Sequence, residues 1–109
     1  MRRRDAAAEP DEVTQFVSEL GTRVRLMRLS RGLTQAELAE RADISRLTVM
    51  AIEAGALSSR LVHVARVLWA LDDVSLQTAL ATAAQDPAFQ EAARSQLPRM
   101  ASRRKKAPT

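Results

Sequence analysis

Between residues 13 and 27 the apolar positions are Val13, Phe16, Val17, Leu20, Val24 and Met27. Their three- and four-residue steps describe one face of a helix. Gly32, after Arg31, suits the residue beyond a helix, where the backbone turns left-handed. The first helix is therefore expected to close near Ser30 or Arg31. Gly21 lies inside this run and costs roughly 1 kcal/mol of helix propensity, which leaves room for a break. Thr34 then reads as an N-cap, and Glu37 completes a capping box. The inward face of this second helix is Leu38 with Ala36 and Ala39. Ala42-Asp43-Ile44 breaks the pattern. Ser45 starts a third helix over 46–53, with Val49 and Ile52 inward and Gly55 closing it. A fourth is expected over 59–71, with Leu61, Val64, Leu68 and Leu71 inward. Asp72-Asp73 interrupts, and Leu76, Leu80 and Ala83 mark a fifth. Asp86-Pro87 reads as the N-cap and first position of a sixth, which runs to about Gln96 before Pro98 stops it. Nothing alternates with period two, so the fold class is all-α.

Charge divides the chain. The net charge is +4 over 109 residues. Residues 98–109 carry Arg99, Arg103, Arg104, Lys105 and Lys106 and no acid, whereas acids outnumber arginines between 10 and 97. A binding face for an anionic polymer must then come from clustered arginines rather than overall charge. The tail is expected to be disordered, either as a solubilising end or as a source of non-specific, salt-dependent phosphate affinity. Residues 1–10 read as a flexible arm.

Composition removes several function classes. There is no Cys and one His, His63, so disulfides and thiolate or histidine metal sites are not expected. Asp72 and Asp73 are adjacent and point apart, which makes them helix breakers rather than an acid–base pair. No nucleophile–base pair, metal cluster or phosphate loop is visible, so neither enzymatic activity nor a cofactor is expected. Aromatics make up 3%, too few for a platform that stacks single-stranded bases. No long apolar run predicts a membrane span or a secretory signal, and a cytoplasmic location is expected.

The informative segment is Thr34 to Gly55. Two short capped helices joined by a brief turn can cross steeply only over a small side chain, and Ala39 occupies that point. Asp43 sits where the turn needs positive φ, which Asp tolerates better than most residues. With Ile44, Val49 and Ile52 inward, Arg46, Leu47, Met50 and Ala51 are left outward, and Thr48 lies near the helix start.

These residues resemble the Xre (Cro/C1-type) helix-turn-helix family of regulators over about residues 20–71. The shared elements are Leu20-Gly21-x-Arg23-Val24-Arg25-x-Met27-Arg28, Gly32-Leu33-Thr34-Gln35-x-Glu37-Leu38-Ala39, Ile44-Ser45-x-x-Thr48-Val49 and Ile52-Glu53-x-Gly55. The resemblance implies a lambda-repressor-like five-helix domain, extended here by short C-terminal helices. It places the third helix in the major groove of double-stranded DNA, with the second crossing the backbone. Gln35 would bind phosphate, Ser45 and Arg46 a phosphate or base edge, Leu47, Thr48 and Ala51 would face bases, and Arg60 would touch phosphate. Arg28 and Glu53 would form a buried ion pair. The sequence departs from the family in having Asp43 for the turn Gly and an apolar reading face. Only Arg46 offers a fork to guanine, while apolar groups can meet a thymine methyl.

The organisation expected is an arm (1–10), a helix-turn-helix domain (11–72), a helical extension for dimer or partner contact (73–97) and a basic tail (98–109). The function implied is a repressor that binds an inverted-repeat operator as a homodimer, its contact within residues 69–97. A looser resemblance to HipB-like antitoxins suggests a HipA-like kinase toxin as partner. The competing class is a protein-interaction adaptor with little DNA binding. Leu26 and Leu29, off the inward stripe, would serve either a partner or cover for the C-terminal helices.

Overall fold

A computed structural model describes residues 9–105. Six helices follow in order: α1 (Asp11–Ser30), α2 (Gln35–Ala42), α3 (Arg46–Glu53), α4 (Leu61–Ala70), α5 (Ser75–Ala84) and α6 (Pro87–Lys105). No strand occurs among the described residues. The chain forms two compact units. The first runs through Asp73 and holds α1 to α4; the second begins at Val74 and holds α5 and α6.

Each of the first four helices ends the same way. A left-handed residue follows it: Gly32 (φ 68°), Asp43 (φ 58°), Gly55 (φ 76°) and Asp72 (φ 55°). The amide after each reaches back five residues, as Leu33 N–H to Arg28 O (3.1 Å), Ile44 to Ala39 (3.0 Å), Ala56 to Ala51 (3.0 Å) and Asp73 to Leu68 (2.9 Å). This is the Schellman arrangement, which satisfies carbonyls that the last turn would otherwise leave open. It reverses the chain in few residues and turns Leu33 inward to the core.

The core of the first unit gathers Val24 from α1, Leu38, Ala39 and Ala42 from α2, Val49 and Ile52 from α3, and Val64, Val67, Leu68 and Leu71 from α4 and its end. Leu20, Met27 and Ile44 pack partly against it. Three details correct the periodicity. Ala36 is exposed, because the burying face of α2 is the 38, 39, 42 set. Leu61 is 82% exposed as the first residue of α4, and Val67 takes the inward place instead. Val13 and Phe16 stay exposed, since burial in α1 begins at Gly21. Trp69 is 71% exposed although nearby Leu71 is fully buried.

The helix α1 runs unbroken through Gly21. A Cβ there would lie 2.3 Å from the Ile52 carbonyl oxygen and 2.9 Å from that of Glu53. The glycine thus lets the backbone of α1 lie directly on the end of α3.

The second unit is a pair of helices. Asp86 caps α6 by accepting from the Ala88 amide at 2.9 Å, as an Asp-Pro start predicts. Gln90 Nε2 donates to the Ala84 carbonyl at 3.1 Å, tying the start of α6 to the end of α5. No residue of α5 is buried. The expected stop at Pro98 is overturned, for α6 continues to Lys105. Residues 98–105 are therefore helical, not a disordered tail. Proline removes one amide donor and crowds the carbonyl four residues back. Arg99, Met100, Ala101, Arg103 and Arg104 beyond it are good helix formers. Most of the N-terminal arm and residues 106–109 lie outside the described residues.

Candidate nucleic-acid interface

The start of α2 is set by local chemistry. The Glu37 amide donates to Thr34 Oγ1 at 3.0 Å, and the Thr34 amide donates to Glu37 Oε1 at 2.8 Å. Both halves of the capping box are present. The Thr34 backbone N–H, helped by its hydroxyl, holds the Glu37 carboxyl below the usual carboxylate range. The turn from α2 to α3 passes through Asp43 in the left-handed region. Arg66 of α4 fastens it: Nε donates to the Ala42 carbonyl at 2.7 Å, and Nη2 lies 3.6 Å from Asp43 Oδ2. A cation on the carbonyl end of α2 also suits the helix dipole. Nothing local in the sequence signals this link, because Arg66 lies one helix further on.

The orientation of α3 depends on one buried carboxylate. Arg28 Nε donates to Glu53 Oε2 at 2.6 Å and Nη2 to Oε1 at 3.0 Å, a two-pronged pair. The two side chains are only 9% and 4% exposed. Arg28 Nη1 also donates to the Leu33 carbonyl at 2.8 Å. Gln35 Nε2 donates to Glu53 Oε1 at 3.1 Å. The carboxylate thus joins α1, α2 and α3, and its bond raises the Arg28 pKa. A second buried acid does similar work at the end of α4. Arg23 of α1 grips Asp73 through Nε (2.6 Å) and Nη2 (2.9 Å). Asp73 is thus an internal ion-pair partner as well as a break in the helix. Asp72 takes the left-handed position before it and stays exposed.

The seven residues expected to meet DNA fall on the first unit as follows. Arg46 and Leu47 open α3 and are exposed, Leu47 to 73%. Ala51 is half-buried one turn beyond Leu47, and Met50 beside it is exposed. Ser45 caps α3 by accepting from the Thr48 amide at 3.1 Å. Its Oγ also lies 2.8 Å from Thr48 Oγ1, so the two hydroxyls are bonded to each other. Gln35 is half-buried, with one amide hydrogen already spent on Glu53. Arg60 is exposed at the N-cap of α4 and makes no side-chain cap bond. Arg46 and Gln35 line one shallow recess of about 540 Å³ together with Arg28, Gly32, Thr34 and Ala36. Leu47, Ala51 and Arg60 do not line it.

On α3 the only charged residues are Arg46 and Glu53, and Glu53 is turned inward onto Arg28. The outer face of α3 therefore presents a cation and no anion. Among the described residues no group of acids and histidine is placed to hold a metal. No described helix is long and apolar enough to cross a membrane.

A short capped helix, a left-handed turn and a second short helix with an exposed outer face define a helix-turn-helix, the structural class used by DNA-binding regulators. The family model described as helix-turn-helix domain matches residues 19–74, just over half the chain. The chain belongs to that family. No curated protein and no solved structure gives a significant match.

Proposed function

We infer that the protein is a sequence-specific transcriptional regulator that inserts α3 into the major groove and represses by occupying its operator. The observation that carries this reading is the outer face of α3. It holds one exposed arginine and no exposed carboxylate, on a helix pinned from behind by Glu53. Arg46 reads a base edge, and the amide end of α2 with Gln35, together with Arg60, meets phosphates. One recognition helix spans too few base pairs for a unique site, so a homodimer on an inverted repeat is expected. Its half-sites would lie roughly 34 Å apart.

The test is selection of duplexes from a randomised library, followed by titration at two salt concentrations. Binding should weaken steeply with salt. Arg46→Ala should cost about 1–3 kcal/mol of specific affinity, and an unchanged affinity would remove it from the site. A second reading, a protein-interaction adaptor such as an antitoxin that holds a kinase-like toxin, is favoured by the exposed Leu47 and Met50. Failure to select any duplex, with stable capture of a neighbouring gene's product, would decide for it.

A further inference from the structure

We propose that sequence discrimination is carried chiefly by thymine 5-methyl groups, which the apolar edge of Leu47, Ala51 and Met50 meets in the major groove. This rests on the DNA-binding reading above and states which base feature that face recognises.

Part of the hydrogen-bonding capacity of the face is already engaged within the protein. The Ser45 and Thr48 hydroxyls are 2.8 Å apart and bonded to each other, and Ser45 Oγ also accepts the Thr48 amide. Gln35 gives one of its two amide hydrogens to Glu53. Arg46 is left as the one free fork on α3, suited to a guanine edge or a phosphate. Beside it, Leu47 and Ala51 stand four residues apart, which places them on one face of the helix, with Met50 flanking. Leu47 is among the most exposed large apolar side chains of the first unit. Its neighbour on the chain is a cation, and the outer face of α3 has no carboxylate to repel a phosphate backbone. In the major groove the only apolar group that marks one base is the thymine methyl. A leucine with no core role, next to a cation and on an anion-free face, therefore fits a T-bearing groove. Adenine and cytosine edges would each leave an amino group facing hydrocarbon without a partner.

The experiment takes the duplex that the full-length protein selects from a random library. Each thymine is replaced in turn by deoxyuridine, which keeps every hydrogen bond and removes only the methyl. At least one thymine per half-site should show about fourfold weaker binding, the worth of one buried methyl-sized group. Leu47→Ala, at an exposed position that bears no core contact, should abolish most of that difference while leaving the fold intact. Specific, salt-dependent binding with no response to any deoxyuridine would overturn the inference and leave the regulator standing. The same holds if Leu47→Ala leaves the response unchanged. Selection of no duplex at all would remove both.

Discussion

Glu53 accepts three hydrogen bonds, two from Arg28 and one from Gln35. A buried pair of this kind owes its formation to geometry, because each ion has left water and is compensated only by well-placed partners, here including Gln35 and the Leu33 carbonyl. Glu53→Ala strands the Arg28 guanidinium and should cost about 3–5 kcal/mol in urea unfolding. Replacing both residues with apolar ones of like volume should cost much less. Glu37 gives a milder, pH-dependent effect. The Thr34 amide and hydroxyl hold the Glu37 carboxyl below its ordinary value in the folded chain. A group with a depressed folded pKa stabilises fully above its unfolded value and loses that contribution as the pH falls through the folded one. Glu37→Gln should therefore flatten part of the stability loss on the acid side, measured by unfolding across pH. The Thr34–Glu37 box and the strained Asp43 were legible in the sequence, since both are matters of a few adjacent residues. The Gln35 bond to Glu53 was not, because its partner is 18 residues away and local pattern carries no information on that distance.

Between elements, the backbone of α1 lies directly against the end of α3. Gly21 has no room for a methyl beside the Ile52 and Glu53 carbonyls. Gly55 is similarly close, where a Cβ would lie 3.1 Å from the Ser18 Cα. Gly21→Ala gains helix propensity of roughly 1 kcal/mol but must push α1 from α3. We expect a net loss of about 1–3 kcal/mol by chemical denaturation, together with weaker DNA binding, because α3 would tilt. By propensity alone Gly21 is a weak point of a helix. A glycine held in ordinary helical geometry can equally mark a backbone contact, and only the packing decides between them. The order and type of the helices were legible, because apolar residues recur at helical steps. Which end of each stripe is covered was not: Leu61, Phe16 and Val13 share the periodicity of the core yet stay in solvent. Pro98 misled for another reason, as its penalty is finite and good helix formers follow it.

At the scale of the molecule, the core and the α3 face belong to the first unit, whose buried apolar residues, among those described, all lie between Val24 and Leu71. A chain ending at Val74 should keep a single cooperative melt near that of the full protein, followed by circular dichroism. A lost transition would show that the domain needs α5 and α6. Those helices expose Leu76, Leu80, Phe89 and Leu97, which is why periodicity revealed that they exist and not what they serve. The means by which α3 is held has a further consequence. An eight-residue helix is too short to persist in water by itself. Its fastenings, Val49, Ile52 and Glu53, face one way, and Arg46, Leu47, Met50 and Ala51 face the other. For the regulator proposed above, the exposed Arg46, Leu47 and Met50 can thus be exchanged without disturbing the frame that carries them, and new specificities should be reachable through those side chains.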